Sequence, residues 1–312
     1  MEIVRGLESY PPDSPPSVVA LGAFDGIHLA HQKILATART RARALGLRAL
    51  ACTFDPHPLA VLQPERAPVP ITELAENLAR IALQGLDAAV VIPFTREFSL
   101  LEAEAFVKDV LVGRLKAREV VVGFNHTFGR GAQGNARLLA ELGPKYGFVA
   151  HVIPPLVVDG VVVSSSAIRQ ALAAGDVAWA RKFLGHPYTV RGRVLRGKER
   201  GRQLGFPTAN LKPERELIVP PGVYAARAAW EGGRAGAVVN VGIRPTFGEG
   251  EYWVEAYLLD FAGDLYDSLL ALEFEERIRP EQKFPDVEAL RAQVVRDVAT
   301  AARLLGISPA RS

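Results

Sequence analysis

Two side-chain oxygens stand at alternate positions in Gly205-Phe206-Pro207-Thr208-Ala209-Asn210, those of Thr208 and Asn210. In an extended segment both face the same side. Just before them runs a basic stretch, Arg191 to Arg202, with six Lys or Arg residues. Gly192, Gly197, Gly201 and Gly205 punctuate it, and glycine lets backbone approach a ligand closely. Positive charge beside hard oxygen donors suits phosphates with Mg²⁺, an ion that takes few protein ligands. The chemistry this set could do is phosphoryl transfer. A solvated basic hairpin explains the charges equally well, and spacing alone does not choose.

Three further sets fall in the first half. His28 and His31 stand three apart at an expected helix start, on one face, above unpaired backbone N–H groups and the positive end of the dipole. Such a position attracts a triphosphate, and the imidazoles could donate to phosphate oxygens as charge develops on a leaving pyrophosphate. Capping and packing are the plainer use of the same pair. No GxxxxGK[ST] loop is present. Gly123-Phe124-Asn125-His126-Thr127-Phe128-Gly129 offers two aromatics for a planar ring and polar tips for its edge. Ser164-Ser165-Ser166-Ala167-Ile168-Arg169 offers three hydroxyls and an Arg on a first helical turn, of which capping explains one.

The elements that must position these groups change character midway. Short apolar runs at 18–21, 48–54, 88–92, 119–122 and 148–153 read as strands. Between them, helical patterns fall near 31–45, 72–83, 101–115 and 135–146, with another near 175–184. Strand alternating with helix predicts a parallel sheet with helices on both faces, which binds ligands at the carboxyl ends of its strands. The motifs fall there. Beyond Gly185-His186-Pro187 come β segments at 188–195, 222–230, 236–241, 252–259 and 269–274, separated by Gly, Pro and charged turns. Consecutive strands predict an antiparallel barrel, closed by an amphipathic helix over 286–305 with Leu290, Val294, Val298 and Leu305 on one stripe. The expected division is 1–185 and 186–312.

Composition bounds the classes. The 312 residues suffice for two cores, and 49% hydrophobic with 23% charged content is that of a globular chain. A net charge of +3 fits phosphorylated substrates and does not by itself argue for nucleic acid. The single cysteine, Cys52, excludes an internal disulfide framework and reads as a buried strand residue. With no signal-peptide pattern and no apolar run long enough to span a membrane, a cytoplasmic protein is expected.

Gly22-Ala23-Phe24-Asp25-Gly26-Ile27-His28-Leu29-Ala30-His31, Phe54-Asp55-Pro56-His57-Pro58, the 123–129 loop and the Ser164–Arg169 turn together resemble the adenylyltransferase half of the bacterial bifunctional riboflavin kinase/FAD synthetases. That family normally carries Gly at the place of Ala30 and often Thr at that of Ser166. The second half is similar to the riboflavin kinase domain of the same family. The matching pieces are Arg200-Gly201-Arg202 through Asn210, Pro221-Gly222-Val223-Tyr224, Asn240 to Phe247, Val254-Glu255, Leu258 to Phe261, Asp264 to Tyr266, and Ile278-Arg279 to Lys283-Phe284.

The resemblance implies an α/β Rossmann-like nucleotidyltransferase domain followed by the barrel. In the first it implies ATP at Gly22, Ala23, Phe24, Asp25, His28, His31, Ser164, Ser165, Ser166 and Arg169. It implies flavin at Phe54, Pro56, His57, Pro58, Asn125 and Phe128. In the second it implies ATP at Gly197, Gly201, Arg202, Thr208 and Asn210, with Mg²⁺ at the last two. Arg279 and Phe284 would meet flavin there, and Glu255 would be the base for the ribityl hydroxyl. Read without the resemblance, Glu255 is one acid in an apolar strand. The expected partners are riboflavin, FMN and ATP. The competing readings are an adenylyltransferase for another phosphorylated acceptor and a nucleic-acid-binding protein using 191–202. That run lacks the interleaved aromatics that stack bases.

Overall fold

The computed structural model describes residues 1–196, 205–244 and 251–307. The chain divides into two compact units, Met1–Ser165 and Ser166–Ser312.

The first unit contains strands β1 (Glu2–Arg5), β2 (Ser17–Leu21), β3 (Arg48–Asp55), β4 (Ala88–Pro93) and β5 (Ala117–Gly123). A two-residue ribbon, β6 (Thr127–Phe128) with β7 (Gly134–Asn135), precedes β8 (Val149–Ile153), and a second ribbon, β9 (Val157–Val158) with β10 (Val161–Val162), follows it. The main sheet has six strands, all parallel, in the order β1-β4-β3-β2-β5-β8. Strand β2 is buried along its whole length, because side chains alternate between two covered faces. Val18 and Ala20 face one core with Leu35, Ala38 and Ile81, while Val19 and Leu21 face the other with Leu50, Cys52 and Leu139. Burial pushes the Cys52 thiol up to about 12.

The helices are α1 (Leu29–Leu45), α2 (Pro58–Leu62), α3 (Leu74–Leu83), the single turns α4 (Arg96–Ser99) and α5 (Ala103–Ala105), and α6 (Ala136–Tyr146). Helix α1 buries Ile34, Leu35, Ala38 and Ala42 on one face and stops at Gly46, whose φ of 65° is left-handed. Arg41 of α1 donates to the buried Glu119 of β5 through Nε and Nη2, and His151 of β8 meets the same carboxylate at 2.8 Å. The Arg41 hydrogen bond holds the Glu119 carboxyl below the usual range. The helix expected over 101–115 is instead the turn α5 running into a wider, π-type coil, Phe106–Arg114, which brings Phe106, Val107, Val110 and Leu111 all into the core. The sequence pattern also missed β1. It is an edge strand with only Val4 buried, too short and polar to show a period.

The second unit opens with α7 (Ser165–Ala174) and α8 (Val177–Leu184). Both precede the expected division at 185, and α8 lies against barrel strands, where its Arg181 pairs with Glu275. The barrel strands are β11 (Tyr188–Leu195), β12 (Thr208–Pro213), β13 (Gly222–Trp230), β14 (Gly233–Arg244), β15 (Glu251–Leu258) and β16 (Leu269–Pro280). They close in the order β11-β12-β15-β14-β13-β16, antiparallel throughout. The basic stretch is strand from Arg191 to Leu195, within the β segment expected at 188–195. Gly192 sits where a Cβ would come 2.3 Å from the Lys212 carbonyl oxygen, so its role is close strand approach rather than turning. The last helix, Val287–Leu305, is N-capped by Asp286 and packs Ala301, Ala302 and Leu305 on Val223, Ala225 and Val238. Its stripe also carries Asp297, buried in an ion pair with Arg279 at 2.8 Å.

Candidate functional site

In the sheet unit, strand order reverses between β2 and β5, the place where open α/β sheets leave a crevice. The loops after these two strands are residues 22–28 and 123–126. Gly123, which ends β5, lies against α1, since a Cβ on it would stand 3.5 Å from Ile34. The first loop is irregular: Phe24 and Ile27 have φ of 50° and 39°, left-handed values that cost a non-glycine residue energy. Buried polar contacts hold it. Asp25 Oδ1 accepts from the backbone N–H of Ile71 at 3.0 Å and of Thr72 at 3.2 Å. The N–H of Gly26 donates to Thr72 Oγ1 at 3.1 Å and Asn77 Oδ1 at 3.0 Å. Gly26 has a φ of 79°, and a Cβ there would press on Ile71 at 3.0 Å. Asp25, expected near ATP, thus has its carboxylate turned to its own chain.

That loop delivers the two histidines. His28 caps α1, its Nδ1 accepting from the His31 N–H at 3.3 Å. The two rings stack at 3.6 Å, with Phe24 edge-on to His31 at 5.3 Å. Capping and a shared face are both realised, because a ring bonded through Nδ1 keeps Nε2 for another partner. His31 Nδ1 is sealed from solvent and has no hydrogen-bond partner. Burial first, then the neighbouring His28, hold the His31 imidazole well below its ordinary range, so it is neutral near pH 7.

Of the residues expected to meet flavin in this unit, Phe54 and Phe128 end a chain of ring contacts. Phe54 lies 6.2 Å from Phe98, Phe98 lies 6.2 Å from Phe106, and Phe106 lies 5.7 Å from Phe128. The chain links the loops after β3 and β5. Phe124 is exposed, but Phe128 is buried, its ring filling the space left by Gly134, where a Cβ would meet it at 2.6 Å. Only one aromatic of that loop is therefore presented outward. Asn125 and Pro56 are exposed, and His57 and Pro58 half-buried, with His57 capping α2. The sequence reading assigned no role to His126. Its ring stacks on Phe128 at 6.0 Å and its Nε2 is sealed without a partner. Burial pushes its pKa down to about 4. Ser164 and Ser165 are half-buried at the end of the first unit. Ser166 is exposed and Arg169 half-buried on α7 of the second.

In the barrel unit the cross-strand register does the positioning. Asn210 of β12 is directly opposite Glu255 of β15, and Glu255 is directly opposite Asn240 of β14. Asn240 is in turn opposite Val223, and Val223 opposite Arg279. Directly paired residues share a face, so this row runs round the wall on the side where the last helix packs. The alternate residues Val254 and Ala256 are fully buried in the barrel. Thr208, two before Asn210, occupies the same face one step along, opposite Tyr257. Glu255 thus has Asn210 and Asn240 at its sides and Trp253 and Tyr257 along its own strand. Trp253 Nε1 donates to Glu255 Oε1 at 2.8 Å. Phe206 packs edge-on to Tyr257 at 5.3 Å, just after Gly205, whose φ of 84° turns the chain into β12. Arg279 donates to both Asp297 oxygens and lies 5.6 Å from the Phe284 ring, tying the helix to the barrel. Gly197, Gly201 and Arg202 lie outside the described residues. Asn240 and Trp253 carried no signal of their own in the sequence. Only pairing across strands gives them a place.

A parallel sheet whose switch-point loop delivers two stacked imidazoles to a helix start, and a barrel with an amide-flanked carboxylate, fit a two-unit transferase for phosphorylated substrates. Residues 10–167 match the FAD synthetase family and residues 184–305 the riboflavin kinase family. A bifunctional riboflavin kinase/FMN adenylyltransferase of Pseudomonas fluorescens is 38% identical over 100% of both chains. Its counterpart in Bacillus subtilis is 37% identical over 92% of each. The crystal structure of a macrolide-efflux protein from Streptococcus pneumoniae superposes with a TM-score of 0.89 at 30% identity, covering 96% of this chain and 99% of that one. Efflux is said of that protein; here, no described helix is long and apolar enough to cross a membrane. This chain belongs to the bifunctional riboflavin kinase/FMN adenylyltransferase family. It is an enzyme of both activities, turning riboflavin to FMN and FMN to FAD with ATP.

Proposed function

We propose that residues 186–312 carry the kinase step and residues 1–185 the adenylyl step, each with its own ATP. The lateral row Asn210–Glu255–Asn240 is the observation that carries the kinase assignment. It sets a carboxylate between amides, with the Thr208 and Asn210 oxygens adjoining on one face. Those neutral oxygens fit Mg²⁺, which brings most of its ligands as phosphate and water and would neutralise phosphate charge beside Glu255. Glu255 takes the proton of the ribityl hydroxyl as that oxygen bonds to the γ-phosphorus and ADP leaves. Arg279 holds the last helix beside this face and, with Phe284, shapes the flavin side.

In the first domain the FMN phosphate attacks the α-phosphorus of ATP and pyrophosphate departs. His28 and His31 line the triphosphate, and Asp25 holds the loop that aims them. Phe54, Pro56, His57, Pro58, Asn125 and Phe128 form or support the flavin side. For Ser164, Ser165, Ser166 and Arg169, as for Gly197, Gly201 and Arg202, phosphate contact rests on the resemblance alone. The partners are riboflavin, FMN and ATP in the cytoplasm, with no part for nucleic acid or membrane.

The two half-reactions test this on the full chain. Asn210→Ala should abolish FMN formation from riboflavin, Mg²⁺ and ATP while FAD still forms from supplied FMN. Loss of both activities in folded protein would refute separate sites.

A further inference from the structure

Trp253 precedes Glu255 by two residues on β15, so both side chains leave the barrel wall on one face. Its position on β15 is directly opposite Gly242 of β14. From there its N–H reaches Glu255 Oε1 at 2.8 Å, a normal charge-assisted length. Both residues are half-buried. A glutamate hangs on several rotatable bonds and samples several rotamers unless a neighbour selects one. An indole N–H is a donor and never an acceptor, so it can hold an ionised carboxylate oxygen without competing for the proton that carboxylate collects.

We propose that Trp253 is a positioning residue for riboflavin phosphorylation. Its indole holds the Glu255 carboxylate through Oε1 in the rotamer from which it collects the ribityl proton. This rests on Glu255 being the base. In the step so arranged, the hydroxyl proton passes to the Glu255 carboxylate and the hydroxyl oxygen bonds to the γ-phosphorus. The bond from that phosphorus to the bridging oxygen breaks, and its electron pair leaves with ADP. Trp253 touches none of the reacting atoms and acts only through the carboxylate.

A double-mutant cycle on the full-length enzyme tests it, read by single-turnover FMN formation and riboflavin affinity. Trp253→Phe keeps an apolar ring and removes the donor. The expected loss of rate is roughly 10-fold, inside the 10²-fold that a 1 Å misplacement can cost. Riboflavin affinity should change by less than about twofold, since the indole holds the base and not the flavin. FAD formation from supplied FMN, in the same molecule, should be unaltered, and retained riboflavin affinity reports that the barrel is folded. Trp253→Leu is made alongside and is read instead if the Phe variant melts early. Glu255→Gln should slow FMN formation by about 10²-fold, and adding Trp253→Phe to it should slow it no further. A full rate in both Trp253 variants with a slow Glu255→Gln would overturn the positioning role and leave the base intact. Independent, multiplying losses would also overturn it, because Trp253 would then act through something else. A full rate in Glu255→Gln would instead remove the base itself.

Discussion

In the sheet unit the polar groups stand on irregular backbone beyond the strand ends, while in the barrel they stand within strands. His28 and His31 follow a loop with two left-handed non-glycine residues, each costing about 1–3 kcal/mol. That loop is held by side-chain ties, the Asp25 and Gly26 contacts to residues 71–77 together with Thr53 Oγ1 donating to the Ala23 carbonyl and Gln32 Nε2 donating to that of Ile27. Asn210, Glu255 and Asn240 need no such support. The ladder that makes the barrel also sets them side by side, at the roughly 5 Å spacing of neighbouring strands. An irregular loop can place helix-start N–H groups and rings into a crevice at any angle, but its geometry depends on a few buried ties. A register distributes the same task over many backbone hydrogen bonds, and allows side chains only at right angles to the sheet.

Three experiments bear on this contrast. The largest effect is expected at the ligand end of the crevice. His31→Ala removes the sealed imidazole and should slow FAD formation from FMN by about 10²–10³-fold, the usual cost of one preorganised donor. FMN formation should be untouched, and a fall under threefold would return His31 to packing alone. Next comes the support. Asp25→Ala frees the Ile71 and Thr72 N–H groups, and one hydrogen bond to a charged acceptor is worth about 1.5–3 kcal/mol. The melting temperature of the sheet unit and FAD formation should fall together, with kinase turnover unchanged. An Asp25 variant with normal stability but no FAD formation would mean that the carboxylate meets substrate, and the contrast between tied loop and free-standing register would fail.

The smallest effect is a pH dependence. The His31 and His126 imidazoles are both held low by burial, His126 at about 4. Between there and the unfolded value near 6.5, the unfolded chain binds more protons than the folded one. Stability is thus fully present above about 6.5 and declines as pH falls toward 4. His126→Phe should flatten part of that decline in melting temperature measured from pH 7 to pH 4. A profile as steep as that of the unsubstituted protein would show that His126 does not titrate in this window.

Much of this organisation is legible in the chain. The strands at 188–195 and 222–230 are found where their period-2 pattern puts them, and α1, the sheet strands and the last helix differ only at their ends. Apolar period and terminal caps are local properties, readable within one segment. The site motifs at 22–31 and 123–129 also lie at strand ends in the sequence, as the alternation of strand and helix requires. What local pattern could not supply is contact between distant segments. β1 shows no period because an edge strand buries almost nothing. Asp25 reads as a ligand group until residues 71–72 are seen to fill its oxygens. Phe128 reads as a presented ring until Gly134 is seen to admit it to the core. Nothing local pairs Arg279 with Asp297, which the last helix brings against it. Above all, Asn210, Glu255 and Asn240 come from three strands whose alignment follows from barrel closure. A one-residue slip would turn any of them to the opposite face. Residue types and local periods thus determined which chemistry the chain carries and on which elements. The tertiary structure alone decided which oxygen and nitrogen atoms face one another, because register and loop ties are energies shared between segments far apart in the chain.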